Sequence, residues 1–259
     1  MFKQFTFSVA VALLCAGACL AEEWGTLKGK LVYDGEAPPA SKINVTKDVG
    51  VCGKHNLVNE SLLIGDGNEL RNVVVYIYVK RGGDPPPVHE SYKETENAEV
   101  SLDNWNCRFE PHITFLRTTQ TLVIGNKDTV GHNTKIDCIK NAAINPIVAA
   151  SGQLKQQFKE PESRPVPVSC SIHPWMKGHL LVKDHPYAAV TAKDGTFEIK
   201  NVPAGKWTFQ FWHEKGNYLT SVSVNGEPTA WKKGRVEYDV KAGDNDMGTI
   251  SIAASEFED

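Results

Sequence analysis

Apolar and polar positions alternate from Trp24 to Tyr33, a period of two that predicts a half-buried strand ending at the Asp34-Gly35 turn signal. The run Leu70-Arg71-Asn72-Val73-Val74-Val75-Tyr76-Ile77-Tyr78-Val79 behaves differently. Its β-branched and aromatic side chains follow one another without alternation, which predicts a central strand buried on both faces. Ala37-Pro38-Pro39-Ala40 and Arg81-Gly82-Gly83-Asp84-Pro85-Pro86-Pro87 break regular structure, and residues 41–60, with Cys52 and His55, show little apolar periodicity. Residues 89–99 read as an exposed connection. Short strand patterns follow at 100–102, 112–115, 121–125, 132–135, 156–158, 166–170 and 178–183, and 141–152 is a looser connection with room for a helical turn. After Asp184-His185-Pro186 come strands at 188–192, 194–199, 202–211, 221–224, 235–240 and 248–252, then a frayed acidic tail. No long amphipathic helix and no repeat of fixed period is visible beyond residue 21. Short strands at even spacing with turn residues between them predict an all-β chain of sandwich architecture.

Composition narrows the function classes. At 259 residues the chain suits two small domains or one large one. A net charge of -3 argues against a nucleic-acid partner, and Lys232-Lys233-Gly234-Arg235 is too short a basic run to be more than a solvated turn. At the start, Lys3 precedes the apolar run Val9-Ala10-Val11-Ala12-Leu13-Leu14 and then small residues, the pattern of a secretory signal peptide cleaved after Ala21, with Ala18 as the alternative. That run is too short for a permanent membrane span. Ala16-Gly17-Ala18-Cys19 lacks the aliphatic residue expected before a lipoprotein cysteine. The expectation is an exported protein, periplasmic or extracellular.

Loss of the leader removes Cys15 and Cys19 and leaves Cys52, Cys107, Cys138 and Cys170. Four cysteines in an oxidising compartment allow three pairings. Two bridges, one of them Cys138 to Cys170, is one outcome. The other is a Cys52–Cys107 bridge with Cys138 an unpaired thiol and Cys170 free for other work. The spacing of Cys170, His173 and Met176 in Cys170-Ser171-Ile172-His173-Pro174-Trp175-Met176 favours the second. Soft sulfur with imidazole is a donor set for copper, and two His, one Cys and a distant Met define a blue-copper site. The second imidazole must come from elsewhere, and His132 in Gly131-His132-Asn133-Thr134 is the candidate. Each residue also has a plainer reading: His132 as a turn residue, Met176 as core packing, Trp175 as packing. His112, His179, His185 and His213 are expected to be structural. Cys52-Gly53-Lys54-His55 lacks the second cysteine of a haem attachment motif, and there is no Gly-rich phosphate loop or nucleophile motif with a basic partner. A carrier or binding protein is therefore expected, not an enzyme.

Residues 107–183 resemble the cupredoxins. The resemblance is carried by Phe109-Glu110-Pro111-His112-Ile113, Leu122-Val123-Ile124-Gly125-Asn126-Lys127-Asp128 and His132-Asn133, in that order, and by a Cys170–Met176 loop similar to the short ligand loop of the amicyanin type. It implies a Greek-key β-sandwich with one type 1 copper on His132, Cys170 and His173 and a weak axial Met176. It also implies that Asn133 hydrogen-bonds across to the Cys170 loop. Pro174 and Trp175 would form an apolar skin toward transient protein redox partners. Residues 188–211 resemble the carboxypeptidase-regulatory, transthyretin-like sandwich through Thr191, the Asp194-Gly195 turn, Phe197 and Pro203-Ala204-Gly205. That family begins with a Gly-rich strand like 25–33 and a Val-rich one like 73–79, both of which precede the copper motif here. The expected organisation is nested: leader 1–21, outer sandwich from 22–97 and 186–259, copper domain 98–185 inserted at a surface loop. The competing readings are an extracellular β-sandwich binding or structural module with disulfides and no metal, and a copper storage or delivery protein.

Overall fold

The computed structural model describes residues 23–258, so the leader expected at 1–21, with Cys15 and Cys19, lies outside the described residues. The described residues are nearly all β, arranged as two pairs of sheets and a small fifth one. One sheet runs Thr196–Pro203, Trp24–Asp34, Gly243–Ala253, Ser221–Val224 and Glu227–Ala230. It faces a second sheet of Ala188–Val190, Val74–Ile77, Gly205–His213 and Asn217–Tyr218, with Arg235–Val240 also paired to Gly205–His213. Leu27, Leu31, Val75, Ile77, Phe197, Phe209, Phe211 and Ile250 fill the core between them.

The second pair is drawn from the middle of the chain. Ile113–Arg117, Lys177–Lys183, Val166–Ser169 and Lys135–Ile136 form one sheet; Gln153–Gln156, Thr121–Asn126, Glu99–Trp105 and Arg108–Glu110 form the other. Leu102, Phe109, Leu116, Ile124, Phe158, Val168, Leu180 and Val182 are buried between them. The two pairs meet through Val74, Tyr76, Ile113, Leu181 and Trp212. This explains the unbroken apolar run around Val74–Ile77. Val75 and Ile77 enter one core while Val74 and Tyr76, on the opposite pleat, enter the joint between sandwiches.

Several local expectations are corrected. The strand expected at 156–158 lies at Gln153–Gln156, paired with Thr121–Asn126, and Phe158 beyond it drops into the core. The run 202–211 is divided between Thr196–Pro203 and Gly205–His213, where Gly205 at φ 119° takes a turn conformation that L side chains rarely adopt. No helical turn forms in 141–152; Ile147–Val148 pairs instead with His132–Asn133, and a short helix appears at Val49–Cys52. The tail is anchored rather than frayed. Phe257 is buried against Tyr33, and the Glu256 carboxylate accepts from the Thr220 N–H at 3.0 Å, the Thr220 hydroxyl at 2.7 Å and the Ser221 N–H at 2.9 Å.

Candidate metal centre

Two loops at one end of the middle sandwich carry the candidate donors. Strand Val166–Ser169 pairs antiparallel with Lys177–Lys183, Ser169 opposite Lys177, so residues 170–176 form the hairpin loop between them. Its backbone is closed by hydrogen bonds from Cys170 N to Met176 O at 3.3 Å and from Met176 N to His173 O at 2.9 Å. The other loop follows Thr121–Asn126. There Asn126 ties residues 127–131 into shape, donating to the Val130 and Val148 carbonyls at 2.8 and 2.9 Å and accepting from Asp128 N at 3.0 Å. His132 follows, on the short strand His132–Asn133.

Asn133 joins the loops. Its side-chain oxygen accepts from Ser171 N at 2.7 Å and Ile172 N at 3.1 Å and lies 3.3 Å from the Cys170 sulfur. One donor atom each from His132, Cys170 and His173 then falls within 4.8 Å of the other two. All three side chains are buried, at 0, 2 and 0% exposure. His173 Nδ1 is 3.8 Å from the Cys170 sulfur, which also accepts the His173 N–H at 3.4 Å.

Carboxylates set the orientation of both rings. Asp128 lies 2.9 Å from His132 Nε2 and accepts the N–H groups of Asn106 and Cys107 at 2.7 and 2.8 Å. Asp48 lies 2.8 Å from His173 Nε2. With each Nε2 engaged, each Nδ1 is turned inward. His132 Nδ1 is buried with no hydrogen-bond partner, although buried polar atoms are nearly always paired. A ring nitrogen whose opposite N–H is held by a carboxylate is the usual state of a metal-bound imidazole. The donor set and this orphaned nitrogen fit a copper ion.

Burial pulls His132 down, but the hydrogen bond to Asp128 and the nearby Cys170 sulfur outweigh it and hold the imidazole at about 9. Burial would push the Cys170 thiol up, yet the neighbouring His132 and backbone N–H groups lower it below its ordinary value. His173 is lowered, chiefly by burial, against the pull of Asp48. The shifts of Cys170 and His132 run in opposite senses: the pocket eases loss of the Cys170 proton and retains that of His132.

Met176 is buried in the same core as Cys170. Pro174 is exposed. Trp175 is half-buried, its indole N–H donating to the Cys107 carbonyl at 3.1 Å and its ring 5.2 Å from that of His173. The His173 ring is fully buried, with Asp48 at hydrogen-bond distance from its outer nitrogen. The segment carrying Asp48 leads into Val49–Cys52, which the Cys52–Cys107 disulfide fastens beside the Asp128 loop. Cys138 and Cys170 are both free thiols, which overturns the two-bridge reading. Cys138 is half-buried and its thiol is pushed up to about 12 by burial, then by Glu162 and Asp137. Cys107, Asp128 and His132 also cluster, but the Cys107 sulfur is in the disulfide and is not a donor.

Sequence reasoning did not assign Asp48 or Asp128 a role. Asp128 had a faint signal, standing four residues before His132; Asp48 had none beyond its closeness to Cys52. Among the remaining histidines, His185 is structural: its Nε2–H donates to the Ile77 carbonyl at 3.2 Å and its Nδ1 accepts from Tyr187 N at 3.2 Å. His213 is buried and its Nδ1 accepts from Lys215 N at 3.3 Å.

No family model matches this chain. No curated protein matches it either. Solved structures similar to it include a variant of amicyanin in its Cu(I) form, at 18% identity and a TM-score of 0.30, over 33% of this chain and 82% of that one. A purple cupredoxin from Nitrosopumilus maritimus is similar at 23% identity and a TM-score of 0.28, over 34% of this chain and 100% of that one. A copper-containing nitrite reductase from Thermus scotoductus SA-01 is similar at 18% identity and a TM-score of 0.29, over 41% of this chain and 25% of that one. The site is therefore read from its own geometry.

Proposed function

We propose that this chain is an exported mononuclear copper protein that carries single electrons between protein partners, with His132, Cys170 and His173 as principal ligands and Met176 as a weak axial one. The observation that carries the reading is the convergence of two inward-facing Nδ1 atoms and one sulfur, with both outer nitrogens engaged by Asp128 and Asp48. When bound, copper supplies a one-electron couple between Cu(I) and Cu(II). The protein's part is to hold the donors still. Asn133 locks the Cys170 loop to the His132 strand, burial excludes water, and the carboxylates fix the ring orientations. A carrier is favoured over an enzyme because the donors are buried at 0–2% and present no face to a substrate. Exposed Pro174 and half-buried Trp175 form the nearest apolar surface for a transient redox partner. The strands of 24–34, 74–77 and 188–253 form the frame around this unit, and we assign them to the transthyretin-like type on the Asp194-Gly195 and Pro203-Ala204-Gly205 pattern.

The test is copper addition to the purified protein. An intense thiolate-to-copper visible band is expected, lost in Cys170→Ser and kept in Cys138→Ser; copper binding without that band, or a band indifferent to Cys170→Ser, would refute the reading. The full burial of His173, with Asp48 at its outer nitrogen, favours one second reading, copper storage or delivery. Slow electron self-exchange together with ready release of copper to a chelator would select it.

A further inference from the structure

We propose that His112, His179 and Glu214 form a second metal site, for a divalent zinc-type cation, where the two pairs of sheets meet. The proposal rests on residues separate from the copper ligands, and copper loading enters its test only to keep zinc off Cys170. His112 immediately precedes Ile113–Arg117, and His179 lies in the parallel neighbour Lys177–Lys183 opposite Ile113. The His179 N–H donates to the His112 carbonyl at 2.9 Å, which places the two imidazoles side by side on the middle sandwich. Glu214 comes from the other sandwich, one residue beyond Gly205–His213. One donor atom from each residue lies within 4.8 Å of the other two, and the side chains are only 8, 14 and 8% exposed for His112, His179 and Glu214.

Three details point to a ligand. First, Glu214 is shared: one carboxylate oxygen is hydrogen-bonded to His112 Nε2, and the other faces His179 Nδ1 from 3.8 Å, too far for a hydrogen bond. Second, that His179 Nδ1 is buried with no hydrogen-bond partner. An orphaned imidazole nitrogen aimed at a carboxylate is a costly arrangement that an ion between them would relieve. Third, the far nitrogen of His112 is also buried without a hydrogen-bond partner, and a carboxylate stands behind it, with Nδ1 3.6 Å from Glu60, which lies 3.7 Å from Arg108. Behind the ring is where the outer carboxylate of a metal-bound histidine stands. The Trp212 ring, centred 4.9 Å from that of His179, restrains the second imidazole.

Two imidazoles and one carboxylate suit zinc with a fourth position left for water. No thiol or thioether belongs to the set, so Cu(I) has its softer donors at Cys170, and the two sites would sort metals by donor type. A bound ion would also fasten the sandwiches, since His112 and His179 come from one and Glu214 from the other.

The experiment is equilibrium dialysis of the full-length, copper-loaded protein against Zn2+, read by elemental analysis and by the melting temperature. One zinc per chain is expected, with a rise in melting temperature. His179→Ala should weaken zinc binding by more than about tenfold and abolish that rise, while the visible copper band is kept. Glu214→Gln, which keeps the side-chain shape, should do the same. No stoichiometric zinc in the wild type, or zinc bound equally by wild type and both variants, would overturn the proposal and leave His112–Glu214 as a simple ion pair.

Discussion

Asp128→Asn probes the site through a residue that is not itself a ligand. In the native protein one carboxylate oxygen accepts from Asn106 N, and the other accepts from Cys107 N and engages His132 Nε2. An amide has only one acceptor oxygen. If that oxygen takes the shared position, the amide NH2 confronts the Asn106 N–H, leaving a partly buried donor unsatisfied. If it takes the other, the NH2 confronts both Cys107 N–H and His132 Nε2, and the imidazole must carry its proton on Nδ1, the atom turned toward Cys170. The first arrangement sacrifices fewer bonds, so the stability cost is that of one unmatched donor, about 1–3 kcal/mol. Loss of the carboxylate behind His132 should also lower copper affinity by about 10–100-fold. The control is Asp137→Asn, which removes a carboxylate paired with Lys135. Competition for Cu(I) against a chromophoric chelator measures the affinity, and urea unfolding of the metal-free protein measures the stability. An affinity within about twofold of wild type would refute the role given to Asp128, because a change smaller than ~0.4 kcal/mol is not what a carboxylate holding a ligand should produce.

Three further outcomes follow from the same structure. Replacing both Cys52 and Cys107 by Ala opens a loop with a sequence separation of 55, for which chain entropy alone gives about 4 kcal/mol; a loss below ~1 kcal/mol in urea unfolding would show that the segment is restrained by other contacts. Asn133→Ala leaves the N–H groups of Ser171 and Ile172 without their acceptor and should cost on the order of 2 kcal/mol, with faster amide exchange at those two residues; unchanged exchange would contradict the latch. His185 is held neutral, pushed from 6.5 down to about 3 by burial and then by Lys183. The unfolded chain therefore takes up a proton that the fold refuses as pH falls from 6.5 toward 3, so this contribution to stability is intact above pH 6.5 and lost progressively below it. His185→Gln should flatten the fall in unfolding free energy between pH 7 and pH 5, and an unchanged slope would rule the residue out.

What could be read from the residues and what could not divide along physical lines. The alternation at Trp24–Asp34 and the unbroken run at Val74–Ile77 were legible because burial on one face or two leaves a direct imprint on side-chain type. The pattern of Cys170, His173 and Met176 is legible because the three are close in sequence. His132 is reached from its place on the loop after 121–126 and from the resemblance to the cupredoxins, and the structure brings it together with Cys170 and His173. The Cys52–Cys107 bridge follows from leaving Cys170 free. Asp48 was out of reach: it meets His173 across 125 positions, by way of a short helix in a stretch with no periodicity. The same holds for Glu214, which joins His112 across 102 positions from a different sandwich, so two histidines expected to be structural and a carboxylate given no role beside them form one cluster. The strand at Gln153–Gln156 was misplaced because Phe158, the apolar signal, lies beyond the paired segment and is buried outside it.

X-ray absorption at the copper edge of the loaded protein tests the central claim most directly. One short sulfur and two imidazole nitrogens around a single copper are predicted, with the sulfur contribution absent in Cys170→Ser. A spectrum with only nitrogen and oxygen neighbours, or a sulfur signal that survives Cys170→Ser, would contradict it.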